Sequence, residues 1–131
     1  TRSSPGGLPA RRANSPACGV STVGATRKLA DTLGVTVLLK GNVTVIADHG
    51  GPVYLNPAGQ SWAATAGSGD VLSGMIGALL ASGLPAGEAA AAAAFVHARA
   101  AASSAADPGP GEAPTSSSRM VPHIRGALAA L

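Results

Sequence analysis

A single acidic residue stands inside a glycine-rich stretch that leads into an apolar helix pattern. Residues 65–80 read TAGSGDVLSGMIGALL, and Asp70 comes directly after Gly69. A helix N-terminus carries unpaired N–H groups and partial positive charge, and glycines before it let a phosphate approach closely. A carboxylate there can take the proton from a hydroxyl that attacks a phosphoryl group. These residue types would suit phosphoryl transfer, with an anion cradle at residues 66–69 and Asp70 as the base.

The glycine-rich stretch matches neither of the two common phosphate-binding loops. It lacks the Gly-Lys-Ser/Thr ending of a Walker A loop and the G-x-G-x-x-G spacing of a dinucleotide fingerprint. Asp70 is also well placed to cap the helix that follows, which is a common role for aspartate. From residue types alone, the capping role and the catalytic role are equally supported.

The elements before this stretch are one helix and three short strands. A helix pattern begins near Thr22 and ends at Gly34. Residues 35–39 (VTVLL) are apolar on both faces, which predicts a buried parallel strand. Residues 43–47 (VTVIA) and 53–55 (VYL) predict two further strands, separated by a turn.

Three helices are predicted after the strands. Apolar residues share one helical face across residues 71–80, and residues 87–106 form a nearly pure alanine helix. Residues 107–118 form a flexible connection, and the last helix starts near Val121 with Pro122 in its first turn. This order of elements predicts an α/β fold with helices packed on a sheet.

Composition argues against several classes of function. The chain has 131 residues, a net charge of +3 and 2% aromatic residues. It shows no basic stripe with interleaved aromatics, which gives nucleic-acid binding no support. One cysteine excludes an internal disulfide, and the three histidines are too scattered for a metal cluster. No apolar run reaches the roughly 18 residues of a membrane span.

The first 20 residues differ in composition from the remainder. They are rich in Pro, Gly, Ser and Arg and lack the apolar segment of a secretory signal. We therefore expect residues 1–20 to be a disordered or poorly packed tail before a domain at residues 21–131. The default expectation is a soluble cytoplasmic protein.

Three segments together resemble one enzyme family. ATAGSGDVLSGMIGALLASG, VLLKGNVTVI upstream of it and YLNPAGQ between them are similar to the ADP-dependent (S)-NAD(P)H-hydrate dehydratases. The resemblance covers about residues 23–131, and its motif variants are those of actinobacterial, in particular mycobacterial, members. It implies the C-terminal part of a ribokinase-like three-layer α/β/α fold.

The resemblance also implies a reaction. ADP phosphorylates the hydroxyl of NADH hydrate or NADPH hydrate, and phosphate then leaves as the ring double bond returns. The family uses Mg²⁺, and no residue of this sequence is assigned as a metal ligand. Asp70 would be the catalytic base and would bind the hydrate.

Two segments would bind the nucleotide. The first matches the pattern KGxxT and consists of Lys40, Gly41, Asn42, Val43 and Thr44. The second consists of Gln60, Ser61, Trp62, Ala63, Ala64, Thr65, Ala66, Gly67, Ser68 and Gly69, with Gly69 closest to the phosphates.

Residue types give independent expectations for three of the polar side chains. Lys40 follows a predicted strand directly, at the carboxyl end where α/β folds usually bind ligands. We expect Asn56 to shape the turn before Pro57. We expect His97 to be buried and hydrogen-bonded rather than catalytic.

The chain departs from the family in its upstream part. A complete domain of this family is longer, and its Thr-Pro-His-x-Gly-Glu segment is not found here. Catalysis requires both reactants to be held in register, so we expect weak or no repair activity from this chain alone. An exposed apolar sheet edge would also favour association. The resemblance implies a homo-oligomer, because members of the family commonly form them. Two alternatives stay open: a ribokinase-like kinase of a sugar or vitamin precursor, and a non-catalytic nucleotide-binding remnant.

Overall fold

The computed structural model describes residues 22–57 and 61–131, which form an α/β fold. Residues 22–33 form helix α1. The elements that follow are strands β1 (Val37–Leu39), β2 (Val43–Ala47) and β3 (Val53–Pro57) and helices α2 (Ser68–Ala81), α3 (Ala86–Ala105) and α4 (Ser117–Ala129). The predicted order of elements is confirmed. The tail predicted for residues 1–20 lies outside the described residues, as does Gln60.

The three strands form an antiparallel sheet in the order β1–β2–β3. The prediction of a buried parallel strand at residues 35–39 is wrong, because β1 runs antiparallel to β2 and Leu39 is 46% exposed. The reason lies in the connection. Residues 40–42 are enough to join antiparallel neighbours, whereas a parallel pair needs a crossover of a dozen or more residues.

Helix α3 packs on one face of the sheet and forms the main core. The strand register places Leu38, Ile46 and Tyr54 side by side on that face. Ile46 is fully buried and packs against Ala90 and Ala94 of α3. Alanine side chains are small, so the helix can lie close to the strands. A second cluster joins α3 to α4 through Val96, Ala100 and Ala127.

The first turn of α3 lies against the end of β2. The Asp48 carboxylate accepts a hydrogen bond from the Thr36 hydroxyl at 2.6 Å. A Cβ atom at Gly87 would lie 2.1 Å from an Asp48 carboxylate oxygen, so the approach requires glycine at this position. A carboxylate near a helix N-terminus is favourable because that end carries partial positive charge. This contact positions α3 relative to the sheet.

Helix α4 begins earlier than the sequence predicts. Its first residue is Ser117, its N-cap is Ser116, and Pro122 lies inside the helix. Proline cannot donate to the carbonyl of Ser118 four residues earlier. Ser118 is exposed, so water can satisfy that carbonyl. In the described part of the chain, no helix is long and apolar enough to span a membrane.

Candidate functional site

A cavity of about 280 Å³ lies between the sheet, residues 61–64 and helix α3. Seven residues of the two predicted nucleotide-binding segments line it. They are Lys40, Gly41, Asn42, Thr44, Ser61, Ala63 and Ala64. The fold thus brings the two segments together, although the strand pair β2–β3 separates them in the sequence.

Lys40 links the two segments directly. It follows β1, and its Nζ donates a hydrogen bond to the Ala63 carbonyl oxygen at 3.0 Å. An ammonium group has three N–H donors, so two remain for a ligand. Thr44 is buried, and its hydroxyl donates to the Gly41 carbonyl at 3.4 Å, which is a long hydrogen bond. The side of the cavity next to β1 therefore combines a positive charge with free donors.

His97 connects helix α3 to the glycine-rich turn. Its Nε2 lies 2.9 Å from the Ser68 carbonyl oxygen. A carbonyl only accepts hydrogen bonds, so Nε2 must carry the proton. Burial lowers the pKa of His97; the hydrogen bond to Ser68 acts in the opposite direction, and the charge of Lys40 lowers the pKa further. The expectation of a buried, hydrogen-bonded histidine is confirmed, and the side chain also lines the cavity.

Two serine hydroxyls, of Ser68 and Ser117, also donate hydrogen bonds to the turn before α2. Gly67 has a φ of 83°, in the left-handed region that favours glycine. The Ser68 hydroxyl donates to the Ala63 carbonyl at 2.6 Å. The Ser117 hydroxyl, at the start of α4, donates to the Ala66 carbonyl. The turn is therefore fixed by hydrogen bonds within itself and from α3 and α4.

Gly69 and Asp70 are held by fewer contacts. The Ser73 hydroxyl, also on α2, donates to the Gly69 carbonyl at 2.9 Å, but no side chain from another element bonds to either residue in the described part of the chain. Both are exposed, and the N–H of Gly69 makes no hydrogen bond to any described residue. Gly67 is the N-cap of α2, and no side chain caps this helix. Asp70 lies in the first turn, and its carboxylate has no hydrogen-bond partner among residues 22–57 and 61–131. The structure therefore does not show the capping hydrogen bond that the sequence left open for Asp70.

Several predicted site residues lie away from the cavity. The Trp62 indole N–H donates to Glu112 at 2.5 Å, so it contacts the connection before α4. Val43 is largely exposed on β2. The cavity lining does not include Thr65, Ala66, Gly67, Ser68, Gly69 or Asp70, which form the adjoining turn and the start of α2.

Sequence reasoning missed other lining residues. Asn56 was expected to shape a turn, but it lies within β3, opposite Thr44, and lines the cavity. Strand pairing is the signal that finds it, because directly opposed residues share a sheet face. Three apolar residues complete the lining on the helix side: Leu72, Ala94 and Ala98. Within the described ranges, no group of three His, Cys, Asp or Glu side chains could hold a metal ion.

The family model and the curated relatives that match this chain point to the same family. Residues 12–123 match the model of the NAD(P)H-hydrate dehydratase family. This match starts inside the segment expected to form a tail. It bears out the resemblance drawn from the glycine-rich stretch and the two upstream segments.

Curated relatives cover most of this chain. A bifunctional NAD(P)H-hydrate repair enzyme Nnr of Mycobacterium leprae is 83% identical over 122 residues, which are 93% of this chain and 26% of the relative. The Nnr of Mycobacterium tuberculosis H37Rv is 81% identical over the same share of each chain. An ADP-dependent (S)-NAD(P)H-hydrate dehydratase of Neisseria meningitidis is 51% identical over 73 residues, 56% of this chain and 25% of the relative. The chain spans about a quarter of the length of these relatives.

Proposed function

Since the chain belongs to the NAD(P)H-hydrate dehydratase family, we propose that it forms the ADP site and carries the catalytic base for dehydration of NADH hydrate or NADPH hydrate. The fold is then the C-terminal part of a ribokinase-like domain. One observation carries the proposal: the two segments predicted to bind nucleotide, which lie apart in the sequence, line a single cavity beside the start of α2. The name of the Neisseria relative supports ADP as the phosphoryl donor.

The size of the cavity decides which part of the reactants it receives. Ligand pockets usually measure about 300–1,000 Å³, and this cavity of about 280 Å³ is at the small end. It suits a nucleoside and is too small for a hydrated dinucleotide. We place the base and ribose of ADP there, where Asn56 and Thr44 offer side-chain hydrogen bonds.

The phosphates of ADP would extend toward the N-terminus of α2. The N–H of Gly69 is free and exposed there, and the helix end contributes partial positive charge. Lys40 contributes a full charge from the cavity side. Mg²⁺ is usually bound by one or two carboxylates together with substrate phosphates. Asp70 fits such a shared arrangement, in which the phosphates would supply the other ligands and Mg²⁺ would offset their charge.

Asp70 would act on the hydrate from the exposed side of the turn. Its carboxylate takes the proton from the hydroxyl of the hydrated ring as that oxygen bonds to the β-phosphorus of ADP and AMP leaves. The C–O bond of the phosphorylated ring then breaks, phosphate departs, and the adjacent carbon loses a proton. The double bond returns, giving NADH or NADPH, AMP and phosphate.

Repair activity of this chain by itself is expected to be weak. Asp70 is exposed, so residues 22–57 and 61–131 provide little surface to hold a hydrate over it. Catalysis depends on both reactants being held in register. A turnover equal to that of the mycobacterial relatives would contradict this expectation. Cytoplasmic location and homo-oligomer formation stay predictions from the sequence.

Calorimetry of ADP binding tests the proposed nucleotide site. The chain should be shown to be folded by circular dichroism and then titrated with ADP in the presence of Mg²⁺. Lys40→Met should weaken ADP binding by about tenfold, because a hydrogen bond to a charged group contributes about 1.5–3 kcal/mol. Lys28→Met is the matched control, since Lys28 is an exposed lysine on α1 and does not line the cavity. A folded chain that ignores ADP, or binds it equally well with Met at position 40, would overturn the proposal.

Turnover measurements test the substrate. The chain, in excess, is mixed with ADP and hydrated NADH, and recovery of dihydronicotinamide absorbance is followed. Recovery that requires ADP supports the proposal. If the hydrate is untouched and a sugar or vitamin precursor is phosphorylated instead, the protein is a ribokinase-like kinase.

A further inference from the structure

The hydrogen bond from His97 to the glycine-rich turn joins two of the most buried polar groups of the protein. His97 is 3% exposed and Ser68 is 2% exposed. The bond enters the Ser68 carbonyl from the side of α3, at 2.9 Å. A buried imidazole needs a hydrogen-bond partner, whereas an apolar side chain at this position would not. Apolar packing therefore does not account for the hydrogen bond between His97 and Ser68.

The geometry of one peptide group supplies a reason for this hydrogen bond. The Ser68 carbonyl and the Gly69 N–H belong to the same planar, trans peptide, so they point in opposite directions. When the carbonyl is fixed toward His97, the Gly69 N–H is fixed away from it. Gly69 is an exposed residue, and its N–H is bonded to no described residue. The carbonyl that His97 contacts and the donor that a phosphate would contact are thus two ends of one rigid unit.

We propose that His97 is a positioning residue for phosphate binding: its Nε2–H orients and polarises the Ser68–Gly69 peptide so that the Gly69 N–H binds the diphosphate of ADP. Hydrogen bonds in a chain polarise one another, so donation to the carbonyl strengthens the N–H at the other end of the peptide. The inference rests on the proposed function only in naming the ADP diphosphate as the anion that is bound. The orientation of the Ser68–Gly69 peptide by His97 does not depend on the proposed function.

The surroundings of His97 favour the donor form that this role needs. Leu72 and Ala94 are apolar neighbours in the cavity lining and offer no competing acceptor from their side chains. Lys40 is the charged group that acts on His97, and its positive charge disfavours a second proton on the ring. Lys40 and Ser68 both donate to the Ala63 carbonyl, which keeps the turn in place beside the imidazole.

Paired affinities for ADP and adenosine distinguish positioning from direct contact. His97→Leu removes the donor and His97→Gln restores one at a similar reach. We expect His97→Leu to weaken ADP binding about tenfold, as loss of one hydrogen bond does, and adenosine binding less than about twofold. His97→Gln should recover most of the ADP affinity. Val96→Ala is the control, because Val96 is buried on the same helix but packs toward α4.

The opposite patterns would overturn the inference. Equal weakening of ADP and adenosine by His97→Leu would show direct contact with the nucleoside, and no weakening of either would show a merely structural histidine. Equal losses in His97→Leu and Val96→Ala would indicate general destabilisation. If the wild-type chain binds no ADP, the proposed function fails, but the inference can still be tested.

The Gly69 amide gives that separate test. In ¹⁵N-labelled chain without nucleotide, the amide signal of Gly69 should shift in His97→Leu and return toward its wild-type position in His97→Gln. A hydrogen bond at a carbonyl changes the shielding of the N–H in the same peptide, and Val96→Ala leaves that bond intact. An unchanged Gly69 signal in His97→Leu would show that the imidazole does not polarise this peptide.

Discussion

The two halves of the glycine-rich turn differ in how they are held. Residues 63–68 accept side-chain hydrogen bonds from Lys40 directly after β1, from His97 on α3 and from Ser117 on α4. Gly69 and Asp70 follow immediately, and neither the Gly69 N–H nor the Asp70 carboxylate has a partner among the described residues. The Gly69 carbonyl still accepts from the Ser73 hydroxyl, and the Asp70 N–H still donates to the Gly67 carbonyl, so the groups left open at this point are the Gly69 N–H and the Asp70 carboxylate. In the proposed function, residues 63–68, the held half, would fix position, and Gly69 and Asp70, the open half, would present the free N–H and carboxylate to the reactants.

Such a division would suit the proposed phosphoryl transfer. Positioning and electrostatic stabilisation provide most of the rate in such reactions. Donors that are already oriented need no reorganisation when charge develops. A base or an N–H that was bonded within the protein would first have to be released. Substitutions on either side of the boundary should therefore have different consequences.

The largest effect is expected from Asp70→Asn. Loss of a general base costs typically 10²–10⁴-fold in rate, so ADP-dependent recovery of NADH from its hydrate should fall by about that factor. Binding of ADP in the absence of Mg²⁺ should be equal or slightly tighter, because one negative charge near the phosphates is removed. Single-turnover assays with the chain in excess, together with calorimetry, measure both quantities. Unchanged turnover would show that the open half of the turn is not the catalytic half.

Gly67→Ala should affect folding rather than chemistry. Alanine in the left-handed conformation costs about 1–2 kcal/mol, and the new Cβ would lie 3.1 Å from the Ser117 hydroxyl oxygen. We expect the free energy of unfolding to decrease by about that amount in urea denaturation. Ser117→Ala combined with Gly67→Ala relieves the contact but not the backbone strain. If the single substitution leaves stability unchanged, the held half is less rigid than its hydrogen bonds indicate.

The sequence predicted the elements of this site better than their contacts. The helices and strands follow from periodicity, and the glycine–aspartate motif marks the start of α2. Asn56 was missed because its role depends on pairing with Thr44 across two strands, which periodicity does not report. The direction of β1 was mispredicted because an apolar run fits either a parallel or an antiparallel strand.

Contacts between residues distant in the sequence could not be predicted either, because local patterns do not report which elements come together. Nothing local to His97 specifies that its ring reaches Ser68, and nothing local to Gly87 specifies that Asp48 approaches it. Trp62 was assigned to the nucleotide from its position in a segment, whereas its indole bonds to Glu112 on the connection before α4. Such contacts are set by packing of the elements.

Gly69→Ala is the matched partner of Gly67→Ala and should act in the opposite sense on stability. Gly69 lies within α2, and a Cβ there would meet nothing within 4 Å. Alanine is favoured over glycine in a helix by about 0.5–1 kcal/mol, so the free chain should become more stable by about that amount. Binding of ADP should nevertheless weaken, because the added methyl group obstructs the approach of phosphate to the backbone. Stability and affinity that change in the same direction would contradict a phosphate site at this N–H.

The smallest expected effect is the pH dependence of the free energy of unfolding that comes from His97, which bonds to the held half of the turn. Burial lowers the pKa of His97 from its ordinary value of 6.5, so as pH falls below that value the unfolded chain takes up a proton that the native chain does not. The unfolded state then binds more protons, and the free energy of unfolding must decrease as the pH is lowered. The contribution of neutral His97 to the free energy of unfolding is thus fully present above the pKa that His97 has in the unfolded chain, and it is lost as the pH falls below that value.

Urea denaturation from about pH 8 to about pH 5 measures this loss, and His97→Gln provides the comparison because glutamine does not titrate there. The wild-type chain should lose more stability over this range than His97→Gln. The extra loss belongs to one imidazole, since the other two histidines are present in both chains. Equal slopes would mean that His97 takes up its proton as easily in the native chain as in the unfolded one. The fold would then not favour the neutral form of the His97 imidazole, which donates to Ser68. Among side chains outside the turn, only the hydrogen bonds from Lys40 and Ser117 would then distinguish residues 63–68 from Gly69 and Asp70.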